Sequence, residues 1–142
     1  LNDRLFEIQF LSNKCIFSNL TALYFHGYSN RIPLVYDVTV PRDYSGSLQH
    51  IDNVELYYVD KEVLNLGVTT IIDEFGNELK CYDLERSICD IIKNKNKLDN
   101  ELVNKALRQY FFSVNKNPIK LFDYAKKLKV YKKMMEVFEV LS

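Results

Sequence analysis

Along residues 78–92 the spacing of apolar positions changes from every second residue to every third or fourth. Residues 78–82 read as a strand, and Leu84, Ile88, Ile91 and Ile92 then fall at i, i+4, i+7 and i+8, one stripe of a helix. Asp83 stands just before that stripe, where its carboxylate can accept from the free amides of a first turn. The other face carries Glu85, Arg86 and Asp90, which the pattern assigns to solvent. Arg86 and Asp90 are four apart and can pair across one turn, an interaction worth only about 0.3–0.5 kcal/mol on a solvated helix.

Upstream the pattern is mixed. Residues 4–11 are mostly apolar (Leu5, Phe6, Ile8, Phe10, Leu11) and fit a short strand or a helix equally. Ser18 reads as the N-cap of a short helix over 18–26, with Leu20, Leu23 and Tyr24 on one side and Gly27 as the left-handed residue that ends it. His26, in its last turn, is expected to satisfy the helix C-terminus rather than to act in catalysis. Between Pro33 and Pro41, Leu34, Tyr36, Val38 and Val40 alternate with Val35, Asp37 and Thr39, a half-buried strand. Residues 54–59 alternate again, and a short amphipathic turn over 60–66 ends at Gly67. Residues 68–73 and 78–82 form a hairpin around Gly76 and Asn77, which tolerate the positive φ of a tight turn.

Downstream the period stays helical. A basic connector over 93–97 leads to Asp99, which caps a helix with Leu102, Val103, Ala106, Leu107, Tyr110 and Phe111 on its apolar face. Asn117-Pro118, a cap followed by an N1 proline, starts the next, whose stripe is Leu121, Phe122, Ala125 and Leu128. The phase then slips to Tyr131, Met134, Met135, Phe138 and Leu141, which predicts a break near Lys129-Val130 and one more helix. The fold expected is one α+β domain over 1–142. Its N-terminal part, about 1–82, holds a small, mostly antiparallel sheet of about four strands, and its C-terminal part, about 83–142, a bundle of about four helices.

Composition changes this picture little. The chain has 142 residues, 47% hydrophobic and 27% charged, which is ordinary for a globular protein and long enough to bury a core. No apolar run approaches the roughly 18 residues that span a bilayer, and no signal-peptide core opens the chain, so the expectation is a cytoplasmic protein with no membrane partner. Cys15, Cys81 and Cys89 lack C-x-x-C spacing and read as small buried hydrophobes rather than metal or redox groups.

Charge is the unusual feature. Net charge is zero, yet through Phe75 five bases face ten acids. The remainder is correspondingly basic, and Lys126, Lys127, Lys129, Lys132 and Lys133 fall close enough to make one patch, a candidate surface for an acidic partner or a nucleic acid. No catalytic triad spacing, glycine-rich phosphate loop or HExxH motif is present. The one enzyme-like word is Glu78-Leu79-Lys80 with Asp73 across the hairpin, half of a metal-dependent nuclease site. The simpler reading is a set of solvent-facing hairpin charges.

Tyr82-Asp83-Leu84-Glu85-Arg86-Ser87-Ile88-Cys89-Asp90 resembles the Y-D-L/M-E-R-T/S-I-C-D signature of the AbiEi antitoxins of type IV, abortive-infection toxin–antitoxin systems. Thr21-Ala22-Leu23-Tyr24-Phe25-His26-Gly27, Val38-Thr39-Val40-Pro41 and Phe75-Gly76-Asn77 resemble family segments in the same order, so the similarity runs from about Ile16 onward. The resemblance marks Asp83, Glu85, Arg86 and Asp90 as family-motif residues. It implies a non-enzymatic antitoxin domain without cofactor, whose partner is a nucleotidyltransferase-like toxin. Family members of this kind usually begin with a winged helix that binds operator DNA and represses transcription. No helix-turn-helix precedes Ile16, so the expectation is the C-terminal antitoxin domain without it.

Overall fold

The computed structural model describes residues 3–29 and 31–141. In chain order its elements are α1 (Asp3–Leu11), β1 (Ile16–Phe17), α2 (Asn19–Phe25), β2 (Tyr36–Pro41), a 3-10 turn (Ser47–His50), β3 (Val54–Val59), α3 (Lys61–Leu64), β4 (Val68–Ile72) and β5 (Glu78–Tyr82). There follow α4 (Leu84–Lys93), a second 3-10 turn (Lys95–Lys97), α5 (Asn100–Phe111), α6 (Pro118–Lys127) and α7 (Tyr131–Leu141). Among the described residues no helix is long and apolar enough to cross a membrane.

The strands form one five-stranded sheet in the order β3-β2-β1-β5-β4. β1 runs antiparallel to β2 and parallel to β5, β2 runs parallel to β3, and only the outer pair β4-β5 is the expected hairpin. The expectation of about four mostly antiparallel strands followed by a four-helix bundle is therefore corrected: the sheet is mixed, and the described residues hold seven α-helices. Two physical causes account for the difference. The central strand β1 is two residues long and buried on both faces, so it shows no alternation to read. Residues 42–53 are long enough to serve as a crossover, which brings β3 alongside β2 in the same direction.

Side-chain alternation divides the sheet into two faces. Phe17, Val38, Leu79 and Cys81 pack with Ile8 of α1 and Leu48 of the first 3-10 turn. On the other side lies the larger core, built from Leu23 of α2, Ile88 and Ile91 of α4, Val103, Leu107 and Tyr110 of α5, Leu121 of α6 and Met134 of α7. The helical core thus recruits α2 from the N-terminal half. The break foreseen near Lys129 is present: Lys129 has φ +63°, Val130 N donates to Ala125 O (2.9 Å), and the chain turns from α6 into α7.

Ser18 occupies the N-cap position of α2, but its hydroxyl accepts from Thr39 Oγ1 (2.8 Å) and Asn19 Nδ2 (3.0 Å) and does not cap the helix. Asp37 on β2 joins this helix instead through its amide, which donates to Thr21 Oγ1 (2.8 Å). With Ser18 N donating to Asp37 O (3.0 Å), it ties α2 to the sheet.

Phe17→Ala, in the middle of the sheet, is expected to lower unfolding free energy by about 3–5 kcal/mol. Ile72→Ala on the outer strand, 63% exposed, is expected to cost less than about 1 kcal/mol. Urea unfolding of both variants checks this, and equal losses would contradict a central position for β1.

Candidate functional site

The motif segment Tyr82–Asp90 spans the junction where β5 ends and α4 begins. Asp83 caps α4 as expected, its Oδ1 accepting from Arg86 N (2.9 Å). The expectation of a solvated face with Glu85, Arg86 and Asp90 is overturned: Arg86 is 0% exposed, Asp90 5% and Glu85 6%. Helix α4 is enclosed on all sides, because β5, α5, α6 and the segment after α3 each present polar atoms to the charges that its sequence places outward.

Arg86 is the hub of these contacts. Its Nε donates to Asp90 Oδ1 (3.1 Å) and Oδ2 (3.2 Å), and its Nη1 donates to the carbonyls of Val63 (2.7 Å) and Leu66 (2.8 Å). The guanidinium also stacks on Tyr82, Cζ lying 3.9 Å from the ring centroid, and the Tyr82 hydroxyl donates to Leu64 O (2.6 Å). Three carbonyls of the turn between β3 and β4 are thereby held against α4. Gly67 completes the approach. Its φ is +81°, its carbonyl accepts from Asp83 N (2.7 Å), and a Cβ there would lie 2.8 Å from Arg86 Cβ. Burial pushes the Asp90 carboxyl above its ordinary range, and the adjacent Arg86 charge pulls it back. Removing either member of such a pair leaves the other charge buried and alone, a loss of about 3–5 kcal/mol.

Asp83 and Glu85 tie α4 to the last helices. Asp83 Oδ2 accepts from the Tyr124 hydroxyl (2.8 Å), and Glu85 Oε2 from the Tyr110 hydroxyl (2.9 Å), whose oxygen in turn accepts from Asn117 N (2.9 Å). Lys120 Nζ bridges Asp83 (3.0 Å) and Glu85 (3.8 Å). Desolvation raises both tyrosine hydroxyls, and the carboxylates they face add to the shift, so both stay protonated donors. The partners Tyr110, Tyr124, Lys120 and Gly67 are not evident as such in the sequence pattern. A tyrosine inside an apolar stripe, as at Tyr110, is the one available signal, because a buried hydroxyl needs a partner.

The five lysines of the expected partner surface are all exposed, on both sides of the α6–α7 corner. Lys127 pairs with Asp123 (3.0 Å) and Lys126 lies over Tyr131 (5.4 Å). The hairpin charges do not converge. Asp73 accepts from the amides of Phe75 (2.8 Å) and Asn77 (2.9 Å) and so shapes the turn, while Lys80 Nζ donates to Asn13 O (2.6 Å). Among the described residues no group of three His, Cys, Asp or Glu is placed to hold a metal. His26 does not use its ring on the end of α2; Nε2 lies 2.8 Å from Tyr82 O, at the end of β5. The three cysteines are buried and unpaired, and burial raises Cys15 to about 11, Cys81 to about 12 and Cys89 as well, which leaves them as unreactive thiols.

Of two neighbouring cavities, the smaller opens beside α4. The larger, about 570 Å³, lies between α2, residues 28–29 and 31–35, and the start of α5, and is lined mainly by apolar side chains such as Leu20, Leu23, Ile32 and Leu102, with Asp37 and Tyr57 at one wall. The smaller, about 230 Å³, shares Tyr57 and Lys97 with it and reaches Arg86 and Asp90. Asp37 is 5% exposed, and burial raises its carboxyl to about 7 against the amides of Leu20 and Thr21 and the Tyr57 hydroxyl 3.4 Å away.

No protein-family model matches the chain, and no curated protein matches it.

The Asp37 shift has a definite sign. A carboxyl at 3.8 in the unfolded chain and about 7 in the fold favours folding while protonated, so its contribution is complete below pH 3.8 and is lost as pH rises towards 7. Between pH 4 and pH 7.5 the unfolding free energy of the wild type is expected to fall relative to Asp37→Asn by on the order of 3–4 kcal/mol, and to run parallel to it above pH 8. Denaturant titrations at several pH values check this, and identical pH slopes for the two proteins would contradict it.

Proposed function

We propose that this chain is the antitoxin domain of a type IV, AbiE-like toxin–antitoxin system, a non-enzymatic cytoplasmic protein that counteracts a nucleotidyltransferase-like toxin. What carries the reading is a set of four words, from Thr21–Gly27 to Tyr82–Asp90, that resemble segments of the AbiEi antitoxins in the same order. A second observation is consistent with it. Each charged residue of the longest word has a packing use, because Asp83, Glu85, Arg86 and Asp90 join α4 to other elements or close its own turns. A signature of this kind specifies a fold and needs no reaction to explain it. Repression through a winged helix is proposed only for a full-length protein that carries one.

With the motif charges turned inward, contact with a partner falls to the surface. The α6–α7 corner concentrates like charges within a few residues, which repel one another, and an acidic partner surface relieves that repulsion. Co-expression with the cognate toxin tests the reading. The 142-residue chain is expected to restore growth, and the reversal Lys126→Glu, Lys129→Glu, Lys132→Glu is expected to keep its circular dichroism spectrum and lose most of the protection. Failure of the chain to protect, where a longer version protects, would remove the antitoxin role from these residues. A folded reversal variant that protects fully would move the interface to the acidic side around Asp52, Glu55, Asp60 and Glu62.

A further inference from the structure

We infer that the open edge of β4 is a pairing surface for a second copy of this chain, the two β4 strands running antiparallel about a two-fold axis through Thr70. Among the described residues β4 is the last strand of the sheet, and it pairs with β5 alone. Which of its backbone groups are left over follows from the phase of that ladder. Asp83 N donates to Gly67 O (2.7 Å) at one end and Asp73 N to Asn77 O (2.9 Å) at the other, so Gly67, Thr69, Ile71 and Asp73 are the positions whose backbone bonds face β5. Val68, Thr70 and Ile72 lie in the alternate phase, with N–H and C=O directed away from the sheet. Asn65 O closes the Val68 amide (3.3 Å), whereas no backbone bond among the described residues reaches the outward groups of Thr70 or Ile72, and both residues are exposed.

The sequence of the edge selects the occupant. Exposed edge strands are ordinarily guarded by a lysine, a proline or a bulge, and Val68-Thr69-Thr70-Ile71-Ile72 has none of these and no charge of either sign. The strand also complements its own reverse. Antiparallel pairing centred on Thr70 sets Thr70 against Thr70, Val68 against Ile72 and Thr69 against Ile71, β-branched side chains throughout, and no like charges meet within the pair. The same centre brings the outward groups of both copies together: each Thr70 N–H meets the other copy's Thr70 carbonyl, and each Ile72 N–H meets the other copy's Val68 carbonyl. A centre on Thr69 or Ile71 would bring together groups already bonded to β5. Ile72, 63% exposed in the single chain, is covered by the second copy's Val68. The opposite edge is less suited to self-pairing, because β3 carries Glu55 between Asp52 and Asp60, a local negative charge that repels its own copy.

Sedimentation velocity across a concentration series tests the surface. A pairing this small belongs with weak interfaces, so between about 10 µM and about 1 mM the wild type is expected to move from the 16.8 kDa of one chain towards twice that mass. Thr70→Pro removes an outward N–H and leaves the bonds to β5 in place, a position where an edge strand accepts proline. It is expected to keep the circular dichroism spectrum and remain at the mass of one chain throughout. Ile72→Lys, which supplies the missing guard without touching the backbone, is expected to weaken association about tenfold or more. Amide exchange gives an independent readout: Thr70 and Ile72 are expected to be protected only at high concentration, and Thr69 and Ile71 at every concentration. A wild type that stays at the mass of one chain at the highest concentration, or a dimer that both folded variants leave unchanged, would overturn the pairing. A wild type of one-chain mass whose protection against co-expressed toxin is lost in folded Thr70→Pro would also overturn it, and would assign the edge to an extended segment of another protein.

Discussion

A guanidinium that cannot lose its proton lies at the centre of this molecule, and the surrounding architecture follows from the need to satisfy it. Arg86 is fully enclosed, so every neighbour has to present oxygen or an aromatic face: Asp90 from its own helix, two carbonyls from the turn between β3 and β4, and the Tyr82 ring from β5. Those segments are already brought together by the Val68–Tyr82 strand pairing and by packing of Val63 and Leu66 on the helical core, and Arg86 fixes how they meet. Val63 and Leu66 can offer their carbonyls only because the chain turns back at Gly67, where a side chain would collide with Arg86 and Asp83. Burying the pair adds little net stability by itself, but removing one partner alone is strongly destabilising, because the other charge is left buried.

From this centre two further ties extend in opposite directions. Glu85 and Asp83, through Tyr110 and Tyr124, set α5 and α6 against α4, and Asn94 Nδ2, donating to Asn19 Oδ1 (3.0 Å), joins the end of α4 to α2. Asp37 then links α2 to the sheet. The charges of the Tyr82–Asp90 segment thus lie inside or half-buried, and the basic corner lies outside.

Legibility of the fold in the sequence followed length and period. The helices from Leu84 onward, with Asp83, Asp99 and Asn117 as caps, were readable because long amphipathic runs with cap residues have few alternatives. Strand β1 was not, since two residues carry no period, and without it neither the mixed pairing nor the central place of Phe17 could be deduced. The candidate site was half visible. Its residues stood out as a motif, but a helical wheel places Arg86 and Asp90 opposite the apolar stripe, and periodicity holds no information on whether other elements will cover that face. Alternation places Asp37 on a strand, but its bond to Thr21 of α2 depends on a contact distant in sequence.

Whether the Arg86 charge is truly sequestered can be read from one proton. Solvent exchange of the Arg86 Nε–H, followed by NMR near pH 6, is expected to be as slow as that of the α4 backbone amides, because the bond to Asp90 opens only when the helix leaves the sheet. An Nε–H that exchanges as fast as those of the exposed Arg31 and Arg42 would place the guanidinium in solvent, and the ties built around it would go with it.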